Sequence, residues 1–178
     1  MTLLRLSAAP IDGASIIPNA LVDQHVKPTA AQAALVDALR LTAIAWVENH
    51  TRHALQRRIW TATFDNFCGD LDLPRHPVRA VTGLRYAVEG GAWIDGAALG
   101  RLAGNTLVPV ATWPTVTGRA IVEVTFEAGF DDLATEAAPL QIATLMLILH
   151  LFVGGSLKDV PDTIGMLIDE TYRMPVMA

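Results

Sequence analysis

The sequence predicts an α+β fold: a long N-terminal helix and C-terminal helices forming a helical bundle, packed with a small antiparallel β-sheet. Three observations carry this. Helical periodicity dominates residues 29–54, strand-like alternation dominates residues 60–128, and a second helical region follows. Elements grouped in this way, not alternating strand by helix, favour an antiparallel sheet over βαβ units. The length of 178 residues suits one main domain. We divide it into an N-terminal arm with a short helix (1–28), one domain (29–173) and a tail (174–178).

Residues 1–17 carry Pro10 and the turn pair Asp12-Gly13, and are expected to form an irregular arm. Pro18 suits the first turn of a short helix over Asn19 to Val26, since its missing N–H is not needed there. Lys27-Pro28 stops it. Thr29 and Gln32 then form a capping box, and a long helix runs to about Ala54. Leu35, Leu39, Ala43, Trp46 or Val47, and His50 recur at helical steps and are expected on one face.

Beyond this helix the period shortens. Trp60, Ala62 and Phe64 alternate with Thr61, Thr63 and Asp65, as in a half-buried strand. Leu71-Asp72-Leu73 is a short strand ended by Pro74. Pro77 precedes a longer one in which Val78, Ala80, Leu84, Tyr86 and Val88 share a parity. Glu89-Gly90-Gly91 makes a turn, with Ala92-Trp93-Ile94 as the return. Asn105 to Ala111 is a weaker strand that Pro109 restricts to an edge or a bulge. Arg119 to Ala128 alternates most cleanly, with Val122, Val124 and Phe126 on one side and Glu123, Thr125 and Glu127 on the other. Gly129 closes it. An apolar helix over Ala137 to Val153, a break at Gly154-Gly155-Ser156, and a last helix from about Asp162 to Tyr172 complete the chain. The last helix has a stripe of Ile164, Leu167, Ile168 and Tyr172.

Composition narrows function. Apolar residues make up 52% of the chain and charged residues 17%, below the usual share of about 25%. Disorder needs the opposite balance. The surplus of apolar side chains predicts burial against other chains. The 137–153 helix is apolar on nearly every face yet shorter than a membrane span, which needs about 20 residues, so it belongs in a core or between subunits. No membrane is expected as a partner. The single cysteine, Cys68, excludes a disulfide framework, and the opening residues lack a secretory signal, so a cytoplasmic origin is expected. Asn49-His50-Thr51 has the glycosylation spacing, but it lies within a helix.

Chemistry-bearing patterns are sparse. His50 and His53 lie near Glu48, without the partner ligands a metal site needs. Arg52, His53 and Arg57 fit the negative end of a helix dipole. His150, inside the apolar helix, suits a satisfied core or interface histidine. Gly154-Gly155-Ser156 lacks the strand-turn-helix setting of a serine nucleophile, and Gly100 to Gly104 lacks the phosphate-loop lysine. Asp131 and Asp132 read as turn residues. Arg52, Arg57 and Arg58 form one basic group, and Arg75, His76 and Arg79 another. With a pI of about 5.4 and a net charge of −5, subunit salt links suit them better than tight nucleic-acid binding. No cofactor, catalytic residue or metal ligand is assigned.

Four stretches resemble motifs of the phage head–tail connector (adaptor) family of tailed phages and gene transfer agents. They are Ala45 to Leu55; Leu73 to Tyr86 with the Gly90-Gly91 turn; Val122 to Phe130, ending Ala128-Gly129-Phe130; and the apolar helix followed by Leu167 to Arg173. In order and spacing they cover residues 30–173. Where the family often has an aromatic and an Arg-Glu pair, this chain has Leu151-Phe152-Val153-Gly154, and the arm before Thr29 matches poorly.

The resemblance implies a head–tail connector domain over 29–173 and a structural, non-enzymatic ring, commonly of twelve copies. The ring would sit in the virion neck beneath a portal protein, receive a stopper or tail protein below, and pass DNA through its channel without sequence-specific binding. It implies assembly in the cytoplasm before incorporation into the particle. Trp46, Leu145, Leu147, Leu149 and His150 are the residues expected at a subunit or core interface. Arg173, Met174, Pro175, Val176 and Met177 are expected to dock on the portal. Other neck components (a stopper or a tail terminator) and a small-ligand-binding or enzyme domain are the alternatives; for the last, His50, His53 and Glu48 are the first suspects.

Overall fold

A computed structural model of the chain describes residues 3–88 and 91–172. These form β1 (Leu3–Ala8), α1 (Gly13–Ile16), α2 (Asn19–Val26), α3 (Ala33–Thr51), β2 (Arg58–Phe64), β3 (Leu71–Asp72), β4 (Val78–Val88), β5 (Ile94–Asp95), β6 (Gly100–Ala103), β7 (Thr106–Pro109), β8 (Ala120–Ala128), α4 (Leu133–Glu136), α5 (Ala138–Phe152) and α6 (Asp162–Tyr172). The fold is α+β with antiparallel sheets. It divides into two compact units. One comprises the described part of Met1–Ala9 with Arg57–Gly129; the other comprises Pro10–Gln56 with the described part of Phe130–Ala178.

In the sheet unit the strand order is β1-β2-β8-β4-β5. Trp60, Ala62 and Phe64 of β2 stand opposite Phe126, Val124 and Val122 of β8, and all six are buried. Opposed residues share a face, so these pairs form the dry side of the sheet. Glu123, Thr125 and Glu127 stand on the other side, half-buried. On β4 the expected parity holds at Val78, Leu84, Tyr86 and Val88, which stand opposite Ala128, Val124, Val122 and Ala120, and fails at Ala80. Two register shifts, at Val78/Ala80 and Val81/Gly83, put Val81 and not Ala80 opposite Phe126. Each inserted residue reverses the facing of the residues beyond it.

The arm is also corrected. Residues 3–8 are a strand, β1, paired with β2 in a register that includes Leu6↔Ala62. Asp12 caps α1 by accepting the Ala14 N–H at 3.0 Å. A second sheet has the order β3-β7-β6. The sequence pattern predicts β3 and β7 but not β6, and β7 is the central strand, not an edge. Pro109 is tolerated because it lies past Thr106 and Leu107, the residues that pair with β3. Gly100 lets β6 lie close, since a Cβ there would press on the Leu107 and Trp113 side chains.

In the helical unit Ile17, Val22, Val36, Ile44, Val47, Leu140, Leu147, Ile148, Ile164 and Ile168 are among the buried residues of one core. Helix α3 packs on α5, and α5 also packs on α2, α4 and α6. The capping box holds as expected, with the Thr29 N–H donating to Gln32 Oε1 at 2.9 Å. Helix α3 stops at Thr51, three residues before the expected Ala54, because Arg52 turns left-handed (φ 60°). Side chains secure that end. The Thr51 hydroxyl donates to the Val47 carbonyl at 2.8 Å, and the Glu48 carboxylate accepts the buried Leu55 N–H at 2.9 Å. Helix α5 ends in a Schellman motif. Gly154 (φ 94°) donates to the Leu151 carbonyl, and Gly155 to that of His150.

Candidate interaction surface

Helix α5 contains no Asp, Glu, Lys or Arg. Its core face is Leu140, Ala143, Thr144, Leu147 and Ile148, all buried. The Thr144 hydroxyl is satisfied by the Leu140 carbonyl at 2.7 Å. The helical period places Ile142, Met146, Leu149 and Val153 on the opposite side. Ile142 is 48% exposed and Val153 72%, while Met146 and Leu149 are half-buried. The second apolar face of α5 is therefore solvent-accessible.

Helix α3 offers a different face. Its buried side is Val36, Arg40, Ala43, Ile44, Val47, Glu48 and Thr51. The expected face beginning at Leu35 is a correction: Leu35 is 51% exposed. The polar residues Arg40, Glu48 and Thr51 occupy core positions with partners of their own, so a search for apolar side chains alone misplaces the phase. Arg40 donates to Asn19 Oδ1 at 2.7 Å and lies 3.4 Å from Asp37. Away from this side lie Ala34, Ala38, Leu41 and Ala45, all exposed, with the exposed Asp37 on their flank and Leu41 beside Gly13 of α1. The stretch Ala30–Thr51 has the length and composition of a membrane span. A core helix passes the same test, and here the buried side packs into the core of its unit.

The residues singled out from the sequence separate into two groups. Leu147 is fully buried in the core. Trp46, Leu145, Leu149 and His150 are half-buried around it. Trp46 stacks on His50 with ring centroids 4.7 Å apart, and His50 Nε2 lies 2.8 Å from Asp169 Oδ1 of α6. His150 donates from Nε2 to the Ser156 carbonyl at 3.1 Å, and a Cβ on Gly155 would fall within its ring. Arg173, Met174, Pro175, Val176 and Met177 lie outside the described residues, as do Glu89 and Gly90 of the expected turn.

The three residues suspected of chemistry each make contacts within the fold. Glu48 binds the Leu55 amide and His50 ties α3 to α6. His53 donates from Nδ1 to the Thr51 carbonyl at 2.9 Å, its ring 6.0 Å from that of Phe130 and 5.4 Å from that of Tyr172. Among the described residues no three His, Cys, Asp or Glu side chains gather where a metal could be held.

Of the basic groups, Arg57, Arg58, Arg75 and Arg79 are engaged within the sheet unit, while Arg52 ends α3 in the helical unit. Arg58 and Arg75 lie 4.4 and 5.0 Å from the Trp60 ring, a cation–π arrangement on one indole. Arg57 bonds to Glu127 at 2.6 Å, and Arg79 donates to the Gly129 carbonyl at 3.0 Å. An open groove of about 430 Å³ runs along Arg85, Trp93 and Ile94, where Arg85 bonds to Glu123 at 2.6 Å and lies 4.5 Å from the Trp93 ring. The residues that sequence reasoning missed are Ile142, Met146 and Val153 on α5 and the alanine face of α3. Carrying the helical phase past the core face would have found them.

No protein-family model matches the chain, and no curated protein matches it. Among solved structures it is similar to a chain in the neck of an empty gene transfer agent (GTA) particle computed with C6 symmetry, at 23% identity and a TM-score of 0.80. A chain in the virion of the native GTA particle matches at 23% identity with a TM-score of 0.80. A third, in the neck of the native particle computed with C12 symmetry, matches at 24% identity with a TM-score of 0.77. In all three the match covers 98% of this chain and 98% of the other, so the fold is shared from end to end.

Proposed function

We propose that this chain is a structural subunit of the neck of a phage-like particle, a head–tail adaptor that closes with copies of itself into a ring, dodecameric in this reading, between portal and stopper or tail. The observation that carries the reading is the full-length likeness to chains in GTA particle necks, two of them computed with C6 and C12 symmetry. A cyclic ring needs two unlike faces on each subunit, and uncharged exposed helix faces supply surface for them. Portal contact through Arg173 to Met177 belongs to the same proposal. DNA would pass through the channel without being gripped: a protein of net charge −5 offers few cations to neutralise phosphate, and retention grows with that number.

The test is co-expression with the cognate portal, followed by mass measurement and electron microscopy. The expected result is a ring of this chain stacked directly on the portal. A chain that never enters the neck of its particle, or that works alone on a small-molecule substrate, overturns the proposal. A stopper or tail terminator is the second reading, to which the C6 computation lends weight. Such a subunit would be found farther down the neck without touching the portal.

A further inference from the structure

We infer that the ring closes through two unlike faces of the helical unit: the bulky outer ridge of α5 on one copy seats on the smooth outer face of α3 on the next. This rests on the ring reading above and adds which surfaces meet.

The ridge is Ile142, Met146, Leu149 and Val153; the smooth face is Ala34, Ala38, Leu41 and Ala45. Both sets step by four, three and four residues. Each therefore runs about 16 Å along its helix at 1.5 Å per residue. Helices pack by seating side-chain rows of one in the grooves of the other, and interaxial distance follows the size of the side chains at the contact. Alanine at three of four positions lets a neighbouring helix approach closely, and the branched and long side chains of α5 fill that approach.

Electrostatics restrict the occupant. Helix α5 has no charged residue, and none of the four α3 positions is charged. A charge brought against the α5 face would be desolvated without a partner; on α3 the one exposed charge beside the strip is Asp37, at its edge. Nucleic acid is thereby disfavoured, as is a charged protein surface. The fitting partner is an uncharged helix face, and every copy of this chain carries one of each shape. Such head-to-tail pairing generates a ring where the rotation between copies closes, as the ring reading requires.

The experiment compares three proteins by native mass spectrometry, alone and on the portal. A ridge variant carries Ile142→Lys and Val153→Lys; a groove variant carries Ala38→Lys and Ala45→Lys. All four positions are exposed, and circular dichroism checks that each variant folds. The wild type is expected to form rings, and each variant to lose them at least tenfold. Mixing the two variants should yield one-to-one dimers seen with neither alone, because the ridge variant keeps an intact groove and the groove variant an intact ridge.

A second readout is independent of these variants. Cys68 is an exposed thiol, so Cys68→Ser supplies a background in which Ala45→Cys is the labelled site. Maleimide labelling should slow at least tenfold on ring formation. Rings that persist in both variants, or an Ala45→Cys thiol labelled at equal rates in ring and monomer, overturn this inference and leave the neck reading standing. A ridge variant that keeps its rings and loses only the portal identifies the portal as occupant and also overturns it. A wild type that forms no ring in either setting defeats the neck reading itself.

Discussion

Replacing Glu48 by alanine tests whether this carboxylate is a structural group. Glu48 is 4% exposed, and its carboxylate accepts the N–H of Leu55, itself 1% exposed, where the chain leaves α3. Alanine deletes a hydrogen bond to a charged acceptor and leaves a buried donor without that partner, a loss of about 1.5–3 kcal/mol. For a protein of this length each kcal/mol lowers the melting temperature by roughly 2–4 °C, so a fall of about 3–12 °C is expected. Glutamine keeps an acceptor oxygen at the same reach and should lose less than half as much. Thermal melts followed by circular dichroism measure both variants, and hydrogen exchange at the Leu55 amide reports the bond directly. An alanine variant melting within a degree of wild type would refute the reasoning. So would equal losses in the alanine and glutamine variants, because the effect would then follow charge and not the hydrogen bond.

Leu147→Ala should destabilise the helical unit by about 2–5 kcal/mol in urea unfolding, the usual cost of such a truncation in a closed core. Leu147→Asp should abolish soluble folding or ring assembly, because it places an unpaired charge among Leu140, Ile148 and their neighbours. Gly155→Ala should destabilise by about 1–3 kcal/mol through collision with the His150 ring. His150→Ala made in the Gly155→Ala background should recover much of that loss, a coupling that a double-mutant cycle measures.

Much of the fold is legible where one residue property repeats on one period. Strand β8 alternates because its valines and phenylalanine all face the dry side. The capping box at Thr29 and Gln32 marks the approach to α3, and the apolar run of α5 is plain. Legibility fails where partners lie far away in sequence. Strand β1 is mostly exposed, so burial leaves little alternation, and its pairing with β2 is a long-range event. The β4 bulges depend on alignment with β8. The β6–β7 hairpin was readable: Gly104-Asn105 is a two-residue turn signal, with Gly104 left-handed at φ 62°. At the candidate surface, Arg40 and Glu48 disguise the inner side of α3, and alanines disguise its outer side as neutral filler.

The same facts bear on how the two helices divide their tasks. A helix that only completes a core gains nothing from an apolar outer face, because exposed apolar area invites association. Helix α5 keeps one from Ile142 to Val153, without a single lysine or glutamate to interrupt it. Helix α3 differs: its charged Arg40 and Glu48 turn inward, where Asn19, Asp37 and Leu55 engage them, while alanines turn outward with the exposed Asp37 at their edge. Burying a charge costs more than exposing one unless partners are supplied. Partners are supplied to the Arg40 terminal nitrogen and the Glu48 carboxylate, while Arg40 Nε stays buried without one, and the arrangement leaves an uncharged strip on the outside. Two helices of one unit thus present uncharged faces of opposite relief, and docking one on the other between copies would cover both without stranding a charge.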